Sequence, residues 1–413
     1  MIFETKLLQD RKILIGISAS VAIYKTLEII SCLKKLGAQI RVVMSEESQK
    51  FITPLCFEAI THTPVLHAKT ESWNKNFDSK DQIPCNHISY AKWAEVILIV
   101  PATANTLAKI ASGIADNLLL STLLASNATK IIAPAMNTQM LQNPITQANL
   151  ERLKILGFQI IPTRSGTLAC DTTGDGALAT IEDIVFSTTK ELIKNSFWKN
   201  KQVIITGGGS KENIDLVRCI SNHSSGLQAS AIAIALYLLG ANVKFISSAF
   251  PVFLPQEIQK TSVSSTEDYF EAITKNVENQ QFPTYLFMTA AIADFIPKNP
   301  RNEKIKKQNQ TELIIECKKN KDILESLQYP HLYKIGFKAE FNQQTALASA
   351  QKMLDQKKCF AVCLNVLSQH NAFGSDKNTI TLISSQKSKT FSLDSKINIA
   401  FNIANFIASI SSE

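Results

Sequence analysis

The stretch Lys12-Ile-Leu-Ile-Gly-Ile-Ser-Ala-Ser20 decides the fold of the first half of the chain, because it is an apolar run that ends in a turn of small residues. Apolar residues at helical spacing follow over 21–36, and Gly37 ends that helix. The next apolar run is Ala38-Gln-Ile-Arg-Val-Val-Met44. Strand, turn, helix, glycine and strand form a βαβ unit, which predicts a parallel sheet with right-handed crossovers.

The second half opens in the same way, at Gln202-Val-Ile-Ile-Thr-Gly-Gly-Gly-Ser210. A helical run over 229–239, Gly240 and the strand Ala241-Asn-Val-Lys-Phe-Ile-Ser247 follow it. The sequence therefore predicts two α/β domains in series, joined within 190–201. We place their limits at 1–198 and 199–413.

Composition excludes several classes of protein. The chain has 413 residues, of which 45% are hydrophobic and 19% charged, and its net charge of +8 suits anionic small molecules as well as nucleic acid. Its eight cysteines include no C-x-x-C pair, which is typical of reduced thiols in a cytosolic protein. The longest uncharged stretch, 96–108, is too short to span a membrane. We therefore expect a cytoplasmic globular protein, and neither a secreted, a membrane nor a fibrous one.

Both glycine-bearing turns are candidate anion sites, because amide N–H groups at a helix N-terminus suit a phosphate. Neither turn has the Walker A sequence or the full G-x-G-x-x-G spacing. Taken alone, the two turns indicate nucleotide or flavin binding and do not decide between them.

Motifs around the first turn carry a more specific signal. They are Asn86-His-Ile-Ser-Tyr-Ala-Lys-Trp-Ala94, Pro101-Ala-Thr-Ala-Asn-Thr106, Gly113-Ile-Ala-Asp-Asn117, Pro134-Ala-Met-Asn-Thr-Gln-Met140 and Gly166-Thr-Leu-Ala-Cys170. Together they resemble the flavin-dependent cysteine decarboxylases that act on 4′-phosphopantothenoylcysteine. The resemblance implies a doubly wound, flavodoxin-like first domain that binds FMN and decarboxylates its substrate through a thioaldehyde.

The second half carries its own set of motifs. They are Ile220-Ser-Asn-His-Ser-Ser-Gly226, Ala290-Ala-Ile-Ala-Asp294, Lys304-Ile-Lys-Lys307, Gly336-Phe-Lys-Ala-Glu340 and Ala372-Phe-Gly-Ser-Asp-Lys-Asn378. This half resembles phosphopantothenate–cysteine ligases, which implies a second Rossmann-like domain. It would join L-cysteine to 4′-phosphopantothenate through an acyl-cytidylate formed from CTP. The order of both sets is similar to that of the bacterial bifunctional coenzyme A biosynthesis family, whose end product in these two steps is 4′-phosphopantetheine.

The resemblance implies roles for particular residues of the first half. His87 would assist deprotonation of the substrate thiol, Asn137 would bind the substrate carboxylate, and Cys170 would donate the last proton. These roles suit an imidazole, which exchanges protons near neutral pH, and an amide with two N–H donors. An Asx turn after Pro134 is the alternative explanation of Asn137. The implied FMN contacts are Gly16, Ser18, Ser45, Thr103 and Asn105.

In the second half, the resemblance implies that Asn222 holds the acyl-cytidylate and that Lys304 contacts the triphosphate. Ser224, Ser225 and Gly226 would form an anion site at a helix start beside Asn222. Mg²⁺ would accompany CTP, with no set of metal ligands expected from the protein itself. The further CTP contacts implied are Ala290, Asp294, Asp322, Phe337, Lys352 and Lys357. For Asp294, a contact with Mg²⁺ is the alternative.

The chain departs from both families at particular positions. In the first half, Asp171 follows the cysteine where glycine is usual, and Ala177 stands where arginine is usual. In the second half, Leu227 replaces a lysine and Lys321 replaces a proline. Lys211 and Lys321 are the candidates to restore the positive charge lost at 227.

Other functions remain as alternatives. An oxidative decarboxylase of peptidyl cysteine shares the flavin fold but does not account for the second half. A regulatory protein on the same fold can dispense with His87, Asn137 and Cys170, all of which are present. A nucleic-acid binder would show a basic stripe interleaved with aromatic residues, and a dehydrogenase a fuller glycine motif. We expect small-molecule substrates, no nucleic acid and no membrane. The resemblance implies a homo-oligomer, in the form of a dodecamer.

Overall fold

The structure is a computed structural model that describes residues 5–73, 83–167, 173–278, 280–306, 312–367 and 374–412. It divides the chain into two compact units, with the division between Ile193 and Lys194. This moves the boundary that we placed after residue 198, because Trp198 is buried in the second unit. There the Trp198 Nε1–H donates to the Ala404 carbonyl over 3.2 Å, and the indole meets the Tyr285 ring edge-on.

A parallel sheet forms the centre of the first unit. Its strands are β1 (Lys12–Ile17), β2 (Gln39–Met44), β3 (Val65–Leu66), β4 (Val96–Ala102), β5 (Thr129–Pro134) and β6 (Gln159–Ile160). In the described residues the order is β3-β2-β1-β4-β5-β6, which is the Rossmann order. Without the two-residue edge strand β3, the remaining order is that of flavodoxin. The predicted α/β fold is confirmed.

Helices cover both faces of this sheet. They are α1 (Tyr24–Lys35), α2 (Pro54–Thr61), α3 (His87–Trp93), α4 (Ala104–Ser112), α5 (Leu118–Leu124), α6 (Thr138–Gln142), α7 (Pro144–Ile155) and α8 (Ile181–Ile193). Alternate residues of a strand point to opposite faces. Accordingly, Ile13 and Ile15 pack in a core with α1, α2 and α8, whereas Leu14 packs with α3, α4, α5 and α7. A hairpin of β7 (Arg164–Thr167) and β8 (Thr173–Ala177) lies outside the sheet.

The second unit repeats this arrangement and extends it. Its main sheet contains β9 (Gln202–Gly207), β12 (Asn242–Ser247), β13 (Gln259–Ser262), β14 (Thr284–Met288), β17 (Leu332–Glu340), β18 (Ala361–Val366), β19 (Lys377–Ile383) and β20 (Ser388–Ser395), and its small hairpins contain β10 (Lys211–Asn213), β11 (Cys219–Ser221), β15 (Phe295–Pro297) and β16 (Cys317–Lys319). The order is β13-β12-β9-β14-β17-β18-β19-β20 in the described residues. The parallel part, β13 to β18, has the Rossmann order again, and β19 and β20 add antiparallel strands at one edge.

The helices of the second unit also lie on two faces. They are α9 (Leu227–Leu238), α10 (Thr266–Val277), α11 (Ile323–Ser326), α12 (Gln343–Gln356) and α13 (Lys396–Ser411). Leu286 of β14 shares a core with α10 and α11, and Met353 of α12 packs against that core. The alternate residues Tyr285 and Phe287 contact Trp198, which is bonded to α13. Thus α10, α11 and α12 cover one face, while α13 and its neighbour α9 cover the other.

Two features bear on the class of protein. None of the helices in the described ranges has the length and hydropathy needed to cross a bilayer. The cysteines of those ranges are all free thiols. Burial raises the pKa of the Cys359 thiol to about 11, and burial also raises the pKa of Cys363. Both thiols are therefore protonated at neutral pH and act as apolar core groups.

Candidate functional site

The first candidate site lies where β1 and β4 end side by side, the point at which the strand order reverses. Ser18 follows β1 and is buried, and its Oγ donates to the Pro101 carbonyl over 2.7 Å. The same oxygen accepts the Thr103 N–H over 3.0 Å. Thr103 caps α4, because its Oγ1 accepts the Thr106 N–H over 3.2 Å. The loops after β1 and β4 are thereby fixed to each other at the start of a helix.

The residues predicted to contact FMN follow β1, β2 and β4 at this edge, apart from Gly16 within β1. A Cβ on Gly16 would lie 2.7 Å from Leu119 Cδ1, so packing against α5 requires this glycine. Ser45 follows β2, where its N–H donates to the Ile17 carbonyl, and Asn105 is exposed in the first turn of α4. Hydroxyl and amide side chains beside a helix N-terminus suit the phosphate and the polyhydroxyl chain of FMN. The residues present fit this cofactor.

His87 begins α3 and is paired with an acid that the motifs did not predict. Its Nδ1 lies 2.7 Å from Glu71 Oε1, and both side chains are about one quarter exposed. The Trp73 ring packs edge-on against the imidazole. Because Glu71 engages Nδ1, Nε2 is the ring nitrogen that has no hydrogen bond in the described residues. Glu71 lies sixteen residues before His87 in a polar segment, and no spacing rule indicates it.

Asn137 lies just before α6, close to the hairpin of β7 and β8. Its Oδ1 accepts the Gln139 N–H over 2.8 Å, which is the turn-forming bond named above as the alternative. The Met136 N–H donates to the Gly176 carbonyl over 3.0 Å, so β8 is joined directly to the Asn137 loop. Cys170 and Asp171 belong to 168–172, between these two strands, and fall outside the described residues. Ala177, which stands in place of the usual arginine, pairs with Arg164 across the hairpin.

For the decarboxylase activity that the motifs of the first half imply, Gly176→Ala is expected to lower kcat/KM by about tenfold or more, because a misplacement of about 1 Å can cost that much. A Cβ at this position would lie 1.9 Å from the Met136 carbonyl oxygen, so β8 must move away from Asn137. Steady-state decarboxylation by the purified variant measures the loss. Gly166→Ala is the matched control, since its Cβ meets the end of the flexible Arg164 side chain. Equal rates for the two variants would contradict this account of Gly176.

The second candidate site is a cavity of about 1100 Å³ in the second unit. Its walls come from segments that follow β9, β14, β17 and β18, at the carboxyl ends of these parallel strands. The predicted residues that it brings together are Asn222, Ser224, Ser225, Gly226, Ala290, Asp294, Asp322, Phe337, Lys352 and Lys357. Residues separated by more than 100 positions in the sequence thus line one cavity.

Lys304 is not among the residues that line the cavity. It is exposed, and the backbone beside it is held elsewhere. The Ile305 N–H donates to Asp215 Oδ2 over 3.1 Å, and Arg218 Nη2–H donates to the Ile305 carbonyl over 3.0 Å. The bond from Arg218 also holds the pKa of the Asp215 carboxyl well below its usual range. The carboxyl group that accepts the Ile305 N–H is therefore charged at neutral pH. The arrangement does not bring Lys304 to the other predicted CTP residues.

Asn222 is fixed across the cavity wall by its side-chain amide. Its Nδ2 donates to the Ala291 carbonyl over 3.2 Å and to the Ile292 carbonyl over 3.1 Å. The segment after β14 is itself joined to the segment after β9, because the Ala291 N–H donates to the Gly208 carbonyl. Asn222 lines the cavity, and these bonds hold its side-chain amide in a fixed position.

Asp322 and Lys357 form an ion pair of 2.7 Å on the other side of the cavity. Burial by itself would raise the pKa of Asp322, but the hydrogen bond from Lys357 and those from the Glu325 and Leu324 amides lower it below its usual value.

Lys321 also lines the cavity, and its ammonium lies 3.0 Å from the centroid of the Phe270 ring. Lys211, the other candidate to replace the charge lost at 227, does not line it. Lys396, near the end of the chain, also lines the cavity, although no motif predicted it.

Comparison with known proteins covers almost the whole chain. Residues 2–193 match the family described as Flavoprotein, and residues 198–410 match the DNA/pantothenate metabolism flavoprotein C-terminal domain. The coenzyme A biosynthesis bifunctional protein CoaBC of Haemophilus influenzae is 34% identical over 404 residues, which are 97% of this chain and 98% of that protein. The CoaBC protein of Bacillus subtilis is 33% identical over 414 residues, with 98% and 99% covered.

Solved structures resemble the two halves separately. A PPC decarboxylase mutant complexed with pantothenoylaminoethenethiol is 32% identical and covers 44% of this chain and 97% of its own, with a TM-score of 0.39. The C-terminal domain of a coenzyme A biosynthesis bifunctional protein CoaBC is 26% identical and covers 53% and 99%, with a TM-score of 0.44. Because both family domains match in order and relatives above 30% identity match nearly end to end, the chain belongs to the family of coenzyme A biosynthesis bifunctional proteins.

Proposed function

We propose that the second unit joins L-cysteine to 4′-phosphopantothenate with CTP and Mg²⁺, and that the first unit decarboxylates the product to 4′-phosphopantetheine with FMN. The chain is a bifunctional enzyme of coenzyme A biosynthesis, with a decarboxylase and a ligase activity. The observation that carries the assignment of substrates is the cavity of the second unit, which gathers an amide, an aromatic ring and several lysines from distant parts of the chain.

In the first unit, FMN supplies the oxidation and re-reduction that turn the carboxyl group of a cysteine into a leaving group. His87 Nε2 takes the proton of the substrate thiol, and Glu71 stabilises the positive charge that the imidazole then carries. We assign Asn137, whose Oδ1 accepts the Gln139 N–H, to the substrate carboxylate. We assign the final proton donation to Cys170.

In the second unit, the carboxylate of 4′-phosphopantothenate attacks the α-phosphorus of CTP, and the bond to pyrophosphate breaks. The amine of cysteine then attacks the acyl carbon, CMP leaves, and the amine loses a proton. Both steps gather negative charge, which Lys352 and Lys357 stabilise from α12 and the residue after it. We assign Asn222 to the acyl-cytidylate, Phe337 to the base, and Ala290, Asp294 and Asp322 to the nucleotide.

We also propose a cytoplasmic homo-oligomer, in the form of a dodecamer. Apolar side chains on the surface of the first unit support an assembly, because burial between subunits would remove them from water. Tyr24, Phe51 and Leu55 are each at least half exposed. Small-molecule substrates account for the net positive charge without a nucleic-acid partner.

Incubation of the purified protein with 4′-phosphopantothenate, cysteine, CTP and Mg²⁺ tests the proposal, with mass spectrometry of the products. We expect 4′-phosphopantetheine together with CMP and CO₂. Accumulation of phosphopantothenoylcysteine would refute the decarboxylase assignment and keep the ligase. Absence of any amide product would refute the ligase assignment, and phosphopantothenoylcysteine supplied directly would then test the first unit by itself.

A further inference from the structure

The lysines that line the cavity of the second unit come from both faces of the sheet. Lys321, Lys352 and Lys357 lie next to or within α11 and α12, on one face. Lys396 is the first residue of α13, on the other face. The cavity therefore meets positive charge from two directions, although the residues predicted to bind CTP account for only one of them.

The start of α13 is joined to the start of α9 at the cavity wall. The Gln228 Nε2–H donates to the Lys396 carbonyl over 3.4 Å, and Gln228 Oε1 accepts from Asn378 Nδ2 over 3.1 Å. The Lys396 N–H donates to the Asp376 carbonyl over 3.0 Å. These bonds fix the position of the Lys396 backbone, and they bring the positive ends of two helix dipoles to one region.

Lys396 carries a charge that its surroundings do not neutralise. No acidic side chain forms an ion pair with it in the ranges that the structure describes, whereas Lys357 is paired with Asp322. Burial lowers the pKa of Lys396, and the negative charge of Asp376 offsets this only in part. A cation in the first turn of a helix also opposes the helix dipole. The position is costly for the free protein, and an anion in the cavity would remove that cost.

The neighbouring position 227 adds to this argument. Leu227 follows the predicted anion site at Ser224, Ser225 and Gly226, and it cannot supply the positive charge usual there. Lys321, the candidate that lines the cavity, lies on the opposite face with its ammonium over the Phe270 ring. The Lys396 carbonyl, by contrast, accepts a hydrogen bond from Gln228, the residue after Leu227.

We propose that Lys396 binds the phosphate group of 4′-phosphopantothenate and sets the preference of the ligase for the phosphorylated acid. The inference rests on the proposed function of the second unit. This substrate carries its carboxylate and its phosphate at opposite ends. Binding of the phosphate on the α9–α13 side lets the carboxylate point toward the CTP residues on the other side, where the first bond forms.

Ligase kinetics with 4′-phosphopantothenate and with pantothenate, which lacks the phosphate, test this role. In Lys396→Met, the ratio of the two kcat/KM values is expected to fall by about 10- to 100-fold, the size of a lost charge-assisted hydrogen bond. The KM for CTP is expected to stay within about twofold. Lys396→Arg should restore most of the ratio, and Lys389→Met, an exposed lysine on β20 outside the cavity, should leave it unchanged.

Calorimetric binding of 4′-phosphopantothenate without CTP provides a second measurement that needs no turnover. We expect at least about tenfold weaker binding by Lys396→Met, with an unfolding temperature no lower than that of the wild type and unchanged decarboxylation of phosphopantothenoylcysteine. An unchanged ratio with unchanged binding would overturn the proposal, and so would an increase confined to the KM for CTP, which would place Lys396 at the triphosphate. Failure of the wild-type protein to form the amide would instead refute the proposed function.

Discussion

The Asn222→Asp variant is expected to lose about 10²- to 10³-fold in ligase kcat/KM, the usual effect of removing a fixed polar group from a charged transition state. Asparagine and aspartate have nearly the same shape, so the change acts through charge. In the wild-type protein, Asn222 Nδ2 donates to the carbonyl oxygens of Ala291 and Ile292. A carboxylate oxygen in its place would repel both carbonyls, and the added negative charge would oppose the binding of the CTP phosphates in the cavity.

In this experiment, each of the two activities of the chain serves as a control for the other. Decarboxylation of added phosphopantothenoylcysteine should be unchanged in Asn222→Asp, since that site belongs to the other unit. Asn222→Ala removes the two donated bonds without adding charge, so it should retain more ligase activity than the aspartate. If Asn222→Asp ligates at the wild-type rate, the assignment of Asn222 to the acyl-cytidylate is wrong.

The fold could be predicted from local sequence because its repeating unit is local. The strand, turn, helix and glycine of 12–44 are contiguous, and the structure has β1, α1 and β2 in that order. The two small hairpins of the second unit were not predicted. Their strands are three residues long and largely exposed, as in β16, so they lack the apolar alternation that marks a buried strand.

Residues of the candidate sites could be predicted where they belong to a motif. Residues that only tertiary contacts bring to a site could not. Motifs gave His87 and Asn222, and the structure pairs His87 with Glu71 and places Asn222 on the wall of the cavity of the second unit. Glu71 and Lys396 belong to no motif, and their contacts are with residues distant in sequence, His87 for Glu71 and Gln228 for Lys396. Lys304 shows the converse, because a lysine within a matched motif lies outside the cavity when Asp215 and Arg218 hold the adjacent backbone.

The His87→Gln variant is expected to lower decarboxylase kcat/KM by about 10²- to 10⁴-fold, the range found for a general acid–base group. Glutamine retains a polar side chain of similar length but cannot take up a proton at neutral pH. Ligase activity and the visible absorbance of bound FMN should be unchanged, since they report the fold and the cofactor site. Wild-type decarboxylation by His87→Gln would exclude this residue from the chemistry.

Glu71 extends the same experiment, because it reaches the reaction only through His87. Glu71→Gln should cost about 10- to 100-fold, since the amide keeps a hydrogen bond to Nδ1 and loses the negative charge that stabilises the imidazolium. In the His87→Gln background, Glu71→Gln should then have no further effect, as expected for two residues that act as one unit. Additive losses would mean that Glu71 acts independently of His87, for instance by supporting the Trp73 contact.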